Sequence, residues 1–495
     1  MTVKLTSFGG CSCVTGSMHL LDLSDEMGYP MKILLDAGSF QGLNAGEKNS
    51  CLPAELNPMD INYILISHAH LDHIGRLPLL VSRGFHGKII CTSATRDISF
   101  ILMDNMVKIQ NSDSDFERDK DIGPISEKNI EMTKRLFVPI RKEYGKLASS
   151  DEKFVVTFIN AEHIAGSASI YIEKPIKLLY TGDLGGSRSS LHKIPVPPKG
   201  GIDYLIVEST YGNRLIGKSD SMVLVNAIND IKENRGRLLI PILAIDRAEE
   251  ILALLKSLNV EETVYLDSPM ALDVLSIYTA NSFVKLTEKF NRVQIKNRNL
   301  NADQVYYSFR PKNFIEVSKN TKLVPNCIIL SSSGMLEGGR ILKYLPGILE
   351  YPNNIILFTS YLGKGTLGRR ILDGEVKVEA SVRKMDGISS HADKNDIIEY
   401  ISKFSYLPKM VFIVHGELDA SENLKKEIEG LFGISTIIPE YNVEYELPNV
   451  NVNESERRRV VTSTKSTKNK GEGIVDDFDD GMSVIEHKDF TPRRR

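Results

Sequence analysis

The stretch "SHAHLDHIGRLP", Ser67 to Pro78, decides how this chain is read. The apolar run "INYILI" precedes it at strand length, and "IGRLPLLVSRG" follows as a helical pattern that stops at a glycine. Three histidines and an aspartate are packed into the six positions from His68 to His73, where a strand ends. His68 and His70 are two apart in an extended segment, so they point the same way and can converge on one metal ion. Asp72 and His73 come where the chain swings into the helix and can reach a second point nearby. A cluster of this density at a strand-to-helix turn predicts a dinuclear metal site.

Each metal needs three or more protein ligands while leaving room for water. Further candidates stand at loop starts after apolar strands: His163 in "FVVTFINAEHIAGSASIYI", Asp183 in "IKLLYTGDLGG" and His415 in "MVFIVHGE". A carboxylate such as Asp183 can bridge two metals with its two oxygens. Asp36 in "ILLDAG" is another strand-end acid, expected to orient a ligand or a bound hydroxide.

The bulk numbers suit an ordinary globular protein. The chain has 495 residues, 42% hydrophobic and 25% charged, enough for two or three domains. A net charge of −3 announces no whole-protein basic field, although a local basic groove is compatible with it. Five cysteines, an odd number in a long chain, argue against a disulfide scaffold. Cys11 and Cys13 are read as small buried residues on a first strand. The start "MTVKLTSFGG" lacks a basic segment with an apolar core behind it, and no apolar run is of membrane-spanning length. The expectation is a soluble, reducing, cytoplasmic setting without a membrane partner.

Strand-like runs ("MKILLDAG", "GKIICT", "SASIYIE", "IKLLYTGD", "DYLIVEST") alternate with helical patterns ("RDISFILMDNMVKIQ", "SEKNIEMTKRLFVPI") in an α/β arrangement. After Tyr211 the rhythm becomes more regular. "DSMVLVNAINDIKENRG" reads as a helix stopped by Gly236, and "DRAEEILALLKSL" as a helix opened by Asp246 and Glu249 in a capping-box variant. With the strands "RLLIPIL", "TVYLDSPM", "CIILSSSG" and "NNIILFTSYL", this predicts a doubly wound parallel sheet. From Asn451 onward periodicity vanishes into "ESERRRVVTSTKSTKNKGEG" and "DDFDDG", a charged tail expected to be disordered. "GKGTLG" matches G-x-G-x-x-G formally, but no crossover helix fits before "DGEVKVEASV", so no dinucleotide fold is expected. His19, His86, His192 and His487 are read as surface or structural residues.

In order along the chain, "LLDAG", "SHAHLDHIGRLP", "AEHIAGSA", "TGDLGG" and "VHGE" resemble the metal motifs of the metallo-β-lactamase fold. "PILAIDRAEEILALL", "LDSPMAL", "SSSGMLEGGR", "GTLGRRILDG" and "DGISSHAD" resemble the β-CASP cassette inserted in some of its members. The resemblance covers about residues 3 to 440 and is nearest to the β-CASP ribonucleases similar to the pre-mRNA cleavage endonuclease and its bacterial and archaeal counterparts. It implies an αββα sandwich with an inserted α/β domain, a parallel sheet flanked by helices. The implied division is 1–209 and 384–450 for the metallo-β-lactamase domain, 210–383 for the β-CASP domain, and 451–495 for the tail. It further implies two zinc ions: His68, His70 and His163 hold the first, Asp72, His73 and His415 the second, and Asp183 bridges them. Glu208 in "VEST" and His391 in "SSHAD" form a pair in which His391 serves as general acid and Glu208 orients it.

Such a site suits phosphodiester hydrolysis, with Asp72, Asp36, Glu208 and His391 around the reacting atoms. Zinc lowers the pKa of bound water toward about 7, so a metal-activated hydroxide can attack in line. Ser331, Ser332, Gly334 and Arg340 in "SSSGMLEGGR" are candidate phosphate contacts, as are Lys364, Arg369 and Arg370 in "GKGTLGRR". The expected function is zinc-dependent hydrolysis of single-stranded RNA, endonucleolytic and extending to 5′-to-3′ trimming. A small-molecule hydrolase of the lactamase or thioesterase type would have no use for His391 or a large insertion. A DNA nuclease of the same superfamily usually lacks the final histidine, so His415 favours RNA. A ligand-free scaffold is disfavoured because every ligand position is filled. Analogy adds a homodimer, or a protein partner recruited by the tail, as expected associations.

Overall fold

The computed structural model describes residues 2–42, 44–110, 126–140, 144–189, 191–217, 221–280, 313–318, 322–363, 365–448 and 483–484. The apolar runs form two sheets packed face to face. One has seven strands in the order Glu444–Pro448, Thr2–Ser7, His19–Asp22, Lys32–Leu35, Tyr63–Leu65, Lys88–Cys91, Phe137–Pro139. The other has eight: Ser435–Ile437, Met410–Val414, Tyr204–Glu208, Leu178–Tyr180, Ala168–Lys174, Val155–Asn160, Gly145–Ala148, Ser483–Val484.

Alternation along each strand sorts the side chains between layers. Ile33, Leu35, Tyr63 and Leu65 belong to the core between the sheets, with Val156, Phe158, Ile170 and Ile206. Leu34 and Ile64 point the other way, toward Leu80 and Ile98 of helices Leu77–Ser82 and Ser93–Gln110. Beyond the second sheet, Leu205, Val207 and Val411 meet Ile397, Ile401 and Leu424 of helices Lys394–Ser402 and Leu418–Phe432. These are the four layers of an αββα sandwich, and its central strands are apolar throughout because both their faces are covered. Each fully buried side chain of this kind contributes about 1.5–3 kcal/mol.

Strand Tyr204–Glu208 pairs in parallel with Met410–Val414, and Glu208 stands opposite Val414. Two neighbouring strands are therefore separated in the chain by a large insertion. Its sheet has six parallel strands, ordered Phe314–Glu316, Thr263–Asp267, Cys327–Ser331, Arg237–Pro241, Ile355–Phe358, Ser381–Lys384. Leu238, Ile240 and Ile328 face Leu224, Ile251 and Val274 of helices Ser221–Glu233, Arg247–Ser257 and Pro269–Ala280. Leu239, Tyr265 and Ile329 face Ile341 and Ile348 on the other side. Helices on both faces make this the doubly wound sheet expected. Ile164, Ala165 and Leu191 of the sandwich share an apolar cluster with Ile245, Leu275 and Tyr278 of the insertion.

Local details differ from the sequence reading. Cys11 and Cys13 lie in the loop after Thr2–Ser7, half-buried and unpaired, not on a strand. Helix Glu127–Lys134 ends early, and Phe137–Pro139 departs as a sheet edge. Helix Ser221–Glu233 is stopped by Arg235, which takes the left-handed conformation at φ 53°. Gly236 serves a close approach instead: a Cβ there would stand 1.7 Å from the Asn353 carbonyl oxygen. Asp246 makes no side-chain cap to its helix, because its carboxylate is drawn into a buried pair with His192. Lys364, His487 and the tail, apart from Ser483–Val484, lie outside the described residues. Among the described residues, no helix is long and apolar enough to cross a membrane.

Candidate metal centre

Strand Tyr63–Leu65 carries the chain to the cleft, and His70 keeps extended backbone (φ −70°, ψ 150°) before helix Leu71–Ile74 begins. The loop after Lys32–Leu35 packs against that turn so tightly that a Cβ on Gly38 would lie 1.5 Å from the Asp72 carbonyl oxygen. Arg76, buried, ties the region together by donating to the carbonyls of Gly38, Phe8 and Gly16. The parallel pairing of Tyr204–Glu208 with Met410–Val414 delivers Glu208 and His415 to the same end of the sheet.

Two groups of donors result. In the first, His68 Nε2 is 3.0 Å from His70 Nδ1, which is 3.2 Å from His163 Nε2. In the second, His415 Nε2 lies 3.3 Å from both Asp72 Oδ2 and His73 Nε2. Asp183 stands between them. Its Oδ2 is 3.5 Å from His68 and 3.6 Å from His163, and its Oδ1 is 3.3 Å from both His73 and His415. Three overlapping sets of donors gather here: His68, His70, His163 and Asp183; Asp72, His73 and His415; and Asp183, Glu208 and His415.

The chemistry of these donors suits cations. His163 Nδ1 faces the Ser390 carbonyl at 2.9 Å and donates to it, leaving a lone pair on Nε2. The Ser67 hydroxyl gives its proton to Asp36 Oδ2 and so accepts from His68 Nδ1 at 3.0 Å, which again leaves Nε2 bare. Lone pairs aimed at one another at such distances repel unless positive charge sits among them. Asp183 Oδ1 is buried and faces ring nitrogens, His73 Nε2 and His415 Nδ1, as a metal-bridging oxygen would. The imidazole and carboxylate set is the one divalent transition metals take.

Burial holds His68, His70 and His163 below the ordinary histidine value, with neighbouring histidines adding to the effect, so they stay in the neutral, ligating form. Burial opposes charge on His73 too, but Asp183 and Asp36 on either side push it well above that value. Asp72 is lowered to about 2: burial resists, but His415, His73 and His70 outweigh it. Asp36, buried, accepts from His73 Nδ1, Ser67 Oγ and Tyr180 Oη, each at 2.7 Å, and so aims His73 rather than reaching the cleft itself.

His391 lies at the rim, with 21% of its side chain exposed, whereas His68, His73 and His163 have none. Its Nδ1 is 3.2 Å from Glu208 Oε2 and 3.9 Å from Asp183 Oδ2. Glu208 is in turn fixed by the Leu184 N–H at 2.6 Å. Burial works against its charge, but the two carboxylates raise His391 to about 10.

The sequence candidates for phosphate contact are placed differently. Ser331 is buried and donates to the Asp267 carbonyl, and Ser332 Oγ meets Ser268 Oγ at 3.0 Å. Arg340, Lys343 and Tyr344 converge on Asp267. Arg369 pairs with Asp373 at 2.7 Å and Arg370 with Glu375 at 3.6 Å. Sequence reasoning missed Ser67, Tyr180, Thr210 (3.2 Å from His415 Nδ1), the Ser390 carbonyl and Arg76. Nothing in their local pattern marks them, since each acts through a contact distant in sequence.

Three family matches divide the chain: the metallo-beta-lactamase superfamily over residues 32–212, the Beta-Casp domain over 248–371, and the Zn-dependent metallo-hydrolase RNA specificity domain over 375–439. With the sandwich, the inserted parallel sheet and the histidine–aspartate cleft, they define a metal-dependent hydrolase of the metallo-β-lactamase superfamily that carries a β-CASP insertion. The chain belongs to the β-CASP metallo-hydrolase ribonuclease family. It is 31% identical over 437 residues to "Ribonuclease TTHA0252" of Thermus thermophilus, covering 84% of this chain and 93% of that protein. It is 32% identical over 461 residues to an "RNase J-like protein" of Methanocaldococcus jannaschii, covering 88% and 98%. "Transcription termination factor FttA" of Cenarchaeum symbiosum is 28% identical, covering 88% and 70%. A solved structure of a protein of unknown function from Enterococcus faecalis V583 shares the fold, with a TM-score of 0.54 at 14% identity, covering 90% and 100%.

Proposed function

We propose that this protein hydrolyses phosphodiester bonds of single-stranded RNA with two zinc ions, cutting internally and trimming from the 5′ end as a second mode. The observation that carries the reading is Asp183, whose two oxygens face two separate histidine groups. The ribonuclease names of two relatives and the RNA specificity match support RNA as substrate. His68, His70 and His163 would hold one ion, Asp72, His73 and His415 the other, and Asp183 both. Bound zinc supplies an acidified water and positive charge for the transition state.

The chain's own groups do the rest. His391, at the rim, gives a proton to the departing oxygen, and Glu208 holds its ring for that transfer. Asp36, Ser67 and Ser390 fix which ring nitrogen of each ligand faces the centre. Ser331, Ser332, Gly334, Arg340, Arg369 and Arg370 are the proposed contacts of the RNA backbone, with Lys364, outside the described residues, as a further candidate. The proposed domains are 1–209 with 384–450, then 210–383, with 451–495 as a tail that engages a partner. Five cysteines, none joined in a disulfide, suit a cytoplasmic place, and a homodimer is compatible with it.

End-labelled single-stranded RNA and DNA, incubated with purified protein with and without a chelator, test the reading. RNA cleavage that the chelator stops is the expected result. Hydrolysis of a lactam or thioester with RNA intact, or cleavage of DNA alone, would replace it.

A further inference from the structure

We infer that Asp246 and Tyr278 of the insertion are positioning residues for His163, so that the seating of the inserted domain sets how firmly the first metal is held. The inference rests on His163 being a metal ligand. Asp246 opens helix Arg247–Ser257 with φ 66° and is 1% exposed. Its Oδ1 accepts from His192 Nε2 at 2.6 Å and from the Tyr278 hydroxyl at 2.9 Å. A tyrosine has one hydroxyl proton. Once it is given to Asp246, the oxygen can only accept. What it accepts is the backbone N–H of Ala165, at 3.0 Å.

Ala165 is two residues from His163 in a tight turn. The N–H groups of His163 and Ile164 are both taken by Ser167 Oγ, and Ser167 N–H returns to the Ile164 carbonyl. Thr92 and Thr95 donate to the Gly166 carbonyl from the sandwich side, and the Ala165 N–H relies on Tyr278 from the insertion side. His192, the second donor to Asp246, lies on the segment that follows Asp183. One oxygen of a buried carboxylate of the insertion therefore holds the His163 turn through Tyr278, and His192 directly. Its other oxygen is buried without a partner among the described residues, so the network rests on these two donors. If the insertion shifts, the Ala165 N–H loses its acceptor and the His163 turn is free to relax.

The test uses the full zinc-loaded chain and an excess of a zinc-chelating dye that reports release. Tyr278→Phe keeps the ring but removes the acceptor, and should speed release of one of the two ions on the order of tenfold. Tyr265→Phe is the control. Tyr265, 1% exposed on strand Thr263–Asp267 of the insertion, donates to the Lys322 carbonyl at 3.1 Å and accepts from Val324 N–H at 3.2 Å. It should leave release unchanged while lowering the melting temperature by as much as Tyr278→Phe does. Asp246→Asn should act as Tyr278→Phe does; if it does not fold, Tyr278→Phe alone decides. Release unchanged in Tyr278→Phe, or equally accelerated in Tyr265→Phe, would overturn the inference. A wild-type chain that takes up no zinc would overturn it together with the reading of His163 as a ligand.

Discussion

The metal cleft and the basic rim of the inserted sheet are built on opposite plans. In the cleft, His68, His73 and His163 are fully buried, and each is aimed by a second group: Ser67, Asp36 or the Ser390 carbonyl. On the rim, Arg340, Arg369 and Arg370 keep 48, 44 and 50% of their side chains exposed and rest on nearby carboxylates. Asp267 under Arg340 is buried, but Asp373 and Glu375 are exposed. Exposed pairs contribute about 0–1 kcal/mol, so Arg369 and Arg370 could exchange a carboxylate for a phosphate at little cost. On the proposed reading, the cleft has its geometry before RNA arrives, and the rim would acquire one when RNA binds. Chemistry and grip should therefore fail in different ways.

Asp183→Asn gives the largest expected effect. It removes the charge both donor groups share, so metal content should fall for both ions and cleavage should drop more than about a thousandfold. Elemental analysis beside a cleavage assay checks it, and full metal content in the variant would break the contrast. His391→Ala comes next. The turnover number should fall by about 10²–10⁴ with metal content intact, because the group moves a proton and holds no ion. Asp36→Asn weakens the hold on His73 and should reduce metal affinity about 10–100-fold, with activity recovering in added zinc. Failure to recover would give Asp36 a role at the reacting atoms. Arg369→Ala is the mildest. RNA binding should weaken, and the slope of log affinity against log salt should flatten by about 0.7 for a lost single-strand phosphate contact, with turnover at saturation unchanged.

How much of this was legible follows the same contrast. The metal side chains stand in dense local motifs at the ends of apolar strands, so His68, His70, Asp72 and His73 could be read together. Strands such as Lys32–Leu35 and Tyr204–Glu208 were legible as apolar runs because the sandwich buries both faces. Edge strands such as Glu444–Pro448 expose alternate residues to water and carry no such run. Asp246 was misread because capping chemistry is local, whereas its true partners, His192 and Tyr278, come from distant segments. Ser390 contributes a backbone carbonyl, which no side-chain pattern encodes.

The register that sets Glu208 opposite Val414 has a consequence for assembly. Strands Met410–Val414 and Glu444–Pro448 complete the two sheets begun before the insertion, and the same late segment brings His391 and His415. The cleft is therefore a product of the whole sandwich, closed only when the segment after the insertion docks beside the one before it.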